Sequence, residues 1–112
     1  MTSPAALAAE QFQLGLEAGR SGQLATAESH FRAATQFHPS FEQAHNNLGV
    51  ALERQGKFRA AAEAYQQAIC LRPDYAEAWH HLGISQERLG EYQAAVDSCR
   101  RALALQPHYI DA

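Results

Sequence analysis

The chain has 112 residues, 46% of them apolar and 19% charged, with a formal net charge of −3; that allows one domain with one modest core, and the acidic balance argues against a nucleic-acid or anionic-membrane partner. No apolar run approaches the ~20 residues of a membrane helix, and MTSPAALAAEQ has neither the basic start nor the apolar stretch of a secretory leader. The two cysteines, Cys70 and Cys99, form no CxxC pair and read as reduced, partly buried thiols, so the expected compartment is the cytoplasm.

In chain order, Ser3 before Pro4 is a start signal, a capping hydroxyl followed by proline at the first helical position. Residues 1–7 then extend a first helix that ends at Gly22, a C-terminal cap. A second helix begins near Leu24 and stops before Pro39. Ser40 with Gln43 spells S-x-x-Q, a capping box that opens a third helix, and Gly56 closes it. The fourth helix begins near Phe58, and Phe58, Ala61, Tyr65, Ala68, Ile69 and Leu71 mark one of its faces. Pro73 ends it, Asp74 with Glu77 forms the next box, Gly90 caps the fifth helix, and a sixth runs from Tyr92 toward Pro107. Nothing alternates as a strand, so the expectation is six helices of about 12–15 residues in three antiparallel pairs.

The pairs are one unit used three times. Gly15, Gly49 and Gly83 recur 34 residues apart, and so do Leu14, Leu48 and Leu82, Gly22, Gly56 and Gly90, Ala27, Ala61 and Ala95, Ala34, Ala68 and Ala102, and Pro39, Pro73 and Pro107. With Trp79, Leu82, Gly83, Tyr92, Ala95, Ala102 and Pro107 in the last copy, these columns resemble the tetratricopeptide repeat, a 34-residue helix–turn–helix unit. His45 and Gln11 stand at the tryptophan position of the other copies, and Cys99 replaces the aromatic that is Phe31 and Tyr65 earlier. The resemblance implies an all-α, right-handed α-solenoid with repeats at 8–41, 42–75 and 76–109, and 110–112 opening a truncated fourth. A helical glycine costs about 1 kcal/mol relative to alanine. Its recurrence opposite Ala27, Ala61 and Ala95 points to close helix crossings, with Trp79 a further packing residue and His45 its substitute.

No catalytic, metal or cofactor site emerges. The six histidines (His30, His38, His45, His80, His81, His108) include no H-x3-H pair, and the rings of His80 and His81 are expected on different sides of their helix. Phosphate-loop, dinucleotide and nucleophile-elbow motifs are absent. Ser98 and Cys99 fall in a core stripe. An enzyme is therefore not expected within these residues.

The resemblance places the first helices on a concave groove. Its rows are Phe12, Asn46 and His80; Gln13, Asn47 and His81; Leu16, Val50 and Ile84; Gly19, Glu53 and Glu87; and Arg20, Arg54 and Arg88. The aliphatic row, flanked by amides and arginines, suits a protein or peptide partner, although Glu53/Arg54 and Glu87/Arg88 also read as rim solvation. The family's carboxylate-gripping variant uses lysine, asparagine and arginine at set positions. Here Asn47 alone matches, with Phe12, Leu16, Glu77 and His81 at the others, so chaperone-type acidic tails are not the expected ligand. The asparagine column at Asn47 is also similar to the repeat arm of O-linked N-acetylglucosamine transferases.

Beyond the sixth helix no polar capping helix follows, and Val96, Leu103 and Leu105 are expected to expose a packing face. Either the chain is a piece of a longer protein or two copies join there. The leading expectation is a protein-interaction scaffold. The alternatives are the substrate-docking arm of a larger glycosyl- or sulfotransferase, or a self-assembly module.

Overall fold

Glycine sets the reversal within each helix pair. In the computed structural model, which describes residues 2–106, the helices are α1 (Pro4–Arg20), α2 (Leu24–Phe37), α3 (Glu42–Arg54), α4 (Phe58–Leu71), α5 (Ala76–Arg88) and α6 (Tyr92–Leu105). Gly22, Gly56 and Gly90 follow α1, α3 and α5 with φ of 77°, 80° and 81°, a left-handed conformation that costs other residues free energy. The next residue's N–H then returns to a helical carbonyl at 2.9 Å: Gln23 to Ala18, Lys57 to Leu52, Glu91 to Gln86. This closes a Schellman motif and satisfies carbonyls the helix end would leave bare.

Between pairs the reversal uses proline. Phe41 N–H bonds the His38 carbonyl at 3.0 Å and Tyr75 N–H the Arg72 carbonyl at 3.1 Å, four-residue turns with Pro39 and Pro73 at the second position. These turns displace the expected capping boxes. Ser40 and Asp74 are held inside the turn, α3 and α5 start after Phe41 and Tyr75, and no side chain caps either helix. Asp74 instead pairs with Arg72 at 3.5 Å. Ser3 does cap α1, its hydroxyl accepting from Ala6 N–H at 3.1 Å. With that start set by Ser3–Pro4, α1 spans 17 residues, longer than the repeat step alone requires.

Each pair packs on the next to give a rod of 47 × 25 × 24 Å, an all-α solenoid. Small residues dominate the core: Ala18, Ala27, Ala61, Ala68 and Ala78 surround Phe31, Leu48, Leu52, Tyr65 and Leu82. Leu71 lies outside it, exposed. The recurrent glycines make room for rings more than for the paired alanines. A Cβ on Gly15 would lie 2.6 Å from the Phe31 ring, and one on Gly49 2.6 Å from the Tyr65 ring. At Gly83 it would meet Cys99 Sγ at 2.8 Å and the Ala95 carbonyl at 3.3 Å. Polar ties run between pairs as well. Glu28 on α2 accepts from Gln55 (3.0 Å) and Lys57 (3.1 Å) in the α3–α4 turn, and Arg59 pairs with Glu91 at 2.9 Å. Partial burial pushes the Glu28 carboxyl up, but the hydrogen bonds from Gln55, Lys57 and Arg32 hold it below its ordinary value.

Candidate partner-binding groove

The first row assigned to the groove is largely consumed by packing. Phe12 sits 5.7 Å from the Phe31 ring and 4.9 Å from the Phe41 ring. Asn46 is fully buried. Its Nδ2 donates to Glu77, and its Oδ1 has no hydrogen-bond partner among the described residues. His80 is half-buried, and its ring meets His81 edge-on at 5.3 Å. The two rings therefore touch each other, although the divergence of adjacent Cβ directions predicts different sides of the helix. Burial lowers the His80 pKa, the charge of His81 lowers it further, and Glu53 and Glu77 oppose both.

At the outer edge, Trp79 Nε1 donates to the Pro73 carbonyl at 2.9 Å, and His45 Nε2 lies 2.9 Å from the Pro39 carbonyl. A carbonyl only accepts, so His45 carries its proton on Nε2. The histidine thus performs the tryptophan's task one repeat earlier, tying the first helix to the proline turn before it.

The junction between the second and third pairs is closed by a polar cluster. Tyr65 on α4, fully buried, donates its hydroxyl to Glu53 Oε1 at 2.7 Å. His81 on α5 approaches the same oxygen through Nδ1 at 3.3 Å and stacks on the Tyr65 ring with centroids 5.6 Å apart. Burial raises the Glu53 pKa, but the hydrogen bonds of His81 and Tyr65 outweigh it and hold the carboxyl below its ordinary value. Glu53 is thus an inward-facing tie, not a solvating rim charge.

The junction between the first and second pairs is open. A cavity of about 230 Å³ lies between α1, α2 and α3. Leu16, Leu24, Phe31 and Val50 make its apolar lining, and Arg20, Asn47 and Arg54 supply the polar groups. Of the other groove residues, Gln13 is exposed, and Arg88 lies 6.0 Å above the Phe58 ring. Ile84 borders a second cavity of about 370 Å³ with Tyr92, Val96 and Leu103. Those last three side chains are exposed, while Leu105 is half-buried. Residues 107–112, including His108, Pro107 and the start expected for a fourth repeat, lie outside the described residues.

The remaining candidates are structural or free. Cys70 is exposed, contrary to the partly buried setting expected, because α4 turns that position outward; Cys99 is half-buried. Buried Ser98 donates to Gln86 at 2.7 Å. Among the described residues no three His, Cys, Asp or Glu side chains are grouped as metal ligands would be, and no helix is long and apolar enough to cross a membrane.

Stacked helix pairs with glycine-capped reversals define a helical-repeat solenoid. A tetratricopeptide repeat model matches residues 12–69 and again 51–110, and the chain belongs to that family. Solved structures agree on the fold. The TPR domain of Arabidopsis OM64 superposes with a TM-score of 0.94 at 19% identity, over 96% of this chain and 89% of that one. The first TPR of Spaghetti (RPAP3), bound to the HSP90 peptide SRMEEVD, gives 0.93 at 20% identity over 96% and 85%. MamA gives 0.85 at 22%, with this chain matched over 94% of its length and MamA over 61%. No curated protein matches the sequence.

Proposed function

We propose that the chain is a non-catalytic interaction scaffold that holds a polypeptide segment against its first helices. The observation that carries this reading is the cavity of about 230 Å³ between α1, α2 and α3, where Leu16 and Val50 stay half-exposed beside Asn47. A recess of that kind takes a partner side chain, and flanking amides serve an extended backbone. The Spaghetti TPRs, of the same fold, hold a peptide, which supports the general mode and not the ligand. At the carboxylate-gripping positions Phe12 packs on rings, Glu77 holds Asn46, and His81 holds Glu53. Isotope-labelled chain titrated with segments selected from a displayed peptide library tests the reading. Amide shifts at Leu16, Asn47 and Val50 are expected, and shifts confined to α2, α4 and α6 would overturn it.

A second reading, self-assembly, has its own support in the exposed apolar strip of Tyr92, Val96 and Leu103. Sedimentation across concentration tests it, and a monomer throughout would dismiss it.

A further inference from the structure

The two junctions use the same columns with different residues. Glu53, Tyr65 and His81 close the second junction. Thirty-four residues earlier the same columns hold Gly19, Phe31 and Asn47. The carboxylate is missing, the phenol has lost its hydroxyl, and an amide replaces the imidazole. All three line the open cavity of the first junction. Nothing lies within 4 Å of where a Gly19 Cβ would be, so the space filled by a side chain at Glu53 is free at Gly19.

The charge around that space is one-sided. No acidic residue lines the cavity, whereas Arg20 and Arg54 both do. Neither arginine belongs to an ion pair among the described residues, in which the lysine and arginine partners are Arg32, Lys57, Arg59 and Arg72.

We propose that the first junction takes an internal Asp or Glu side chain of a partner segment, next to an apolar residue, in the place Glu53 occupies at the second junction. The apolar neighbour rests on Leu16, Phe31 and Val50. Asn47 offers an amide N–H where His81 offers an imidazole N–H, and the two guanidiniums give the charge-assisted contacts that a carboxylate rewards. The proposal rests on the groove reading above and deepens it by naming the chemistry of the segment.

Gly19→Glu tests it by giving the first junction a carboxylate of its own. The new Cβ meets nothing, so the variant is expected to fold and to melt no lower than wild type. The ligands are amidated peptides from a displayed library, which carry no terminal carboxylate. Wild type is expected to enrich segments pairing Asp or Glu with Leu, Ile, Val or Phe. The best of these should bind about tenfold or more weakly after its own Glu→Gln change, and likewise to Gly19→Glu chain, the loss expected for one charged hydrogen-bonding group. Raising salt should weaken wild-type binding. Enrichment of neutral or basic peptides, or undiminished binding of the acidic peptide to folded Gly19→Glu chain, overturns the proposal. If neutral peptides nevertheless shift the Leu16 and Val50 amides, the groove reading survives alone; if no peptide shifts any first-helix amide, both fail.

Discussion

Two glycine-to-alanine changes, one on α1 and one on α3, should move stability in opposite directions. Gly49→Ala puts a Cβ 2.6, 2.8 and 2.9 Å from three carbons of the Tyr65 ring, about 1 Å inside the usual contact of about 3.5–4.0 Å. Tyr65 cannot swing away freely: it is fully buried and its hydroxyl is tied to Glu53 at 2.7 Å. Overpacking of this kind costs about 1–3 kcal/mol and any displaced hydrogen bond about 1 more, against a helix-propensity gain of about 1 kcal/mol. The net is a loss of roughly 1–3 kcal/mol, a fall in melting temperature on the order of 5–15 °C for a domain of this size. Gly19→Ala gains up to about 1 kcal/mol of propensity and meets nothing, so it should melt a few degrees higher. Circular-dichroism melts read both. The decisive control is Gly49→Ala combined with Tyr65→Leu: if the ring is the obstacle, the alanine's cost shrinks once the ring is gone. Gly49→Ala melting at or above wild type, or costing as much with the ring removed, refutes the packing account.

Other outcomes follow from the same contacts. Gly83→Ala should cost less than Gly49→Ala in the same melts, because the Sγ it meets ends a half-buried side chain. His45→Phe, losing the bond to the Pro39 carbonyl, should cost about 0.5–1.5 kcal/mol in urea unfolding, with Trp79→Phe behaving alike. Acid should destabilise the fold in two steps. His80 is depressed from 6.5, so the unfolded chain binds its proton first and stability falls as pH drops below about 6.5. Glu28 and Glu53 are depressed from 4.5, so their contribution is full above that value and is lost below it. Urea midpoints from pH 8 to pH 3 check this, and Glu53→Gln should flatten the lower step.

The 34-residue columns and the Gly–Pro punctuation made the helix pairs legible, since both signals are local and repeated three times. Residues whose meaning depends on distant partners were harder to place. Glu53 beside Arg54 reads as a surface pair, and it turns inward only because Tyr65 and His81 offer it donors from α4 and α5. Asn46 reads as a groove amide, yet Glu77 from the next pair draws it into the interface. Ser40 and Asp74 look like caps until the proline turn takes one residue out of the helix. One clue to the open junction was in the sequence. The column that carries Glu53 and Glu87 carries Gly19 in the first copy, a glycine with no packing partner to explain it.

If column identity alone separates a closed junction from an open one, the second junction can be opened. Its rim already matches the first: Arg54 and Arg88 stand where Arg20 and Arg54 do, and Val50 and Ile84 stand where Leu16 and Val50 do. Changing Glu53→Gly, Tyr65→Phe and His81→Asn together puts the first junction's residues into these three columns of the second, which keeps Phe58 where the first has Leu24 and Ser85 where it has Ala51. The lost hydrogen bonds and the added helical glycine should cost roughly 2–4 kcal/mol, within reach of a domain holding about 5–15 kcal/mol. The triple variant should fold, melt lower than wild type, and answer an acidic–apolar peptide with amide shifts at Ile84 and Arg88 that wild type does not show; Val50 and Arg54 border both junctions, so these two outer residues are the ones that report on the second alone. Titration of isotope-labelled chain reads the shifts. A folded triple variant whose Ile84 and Arg88 amides stay unshifted would mean that the first junction owes its openness to something other than these three columns.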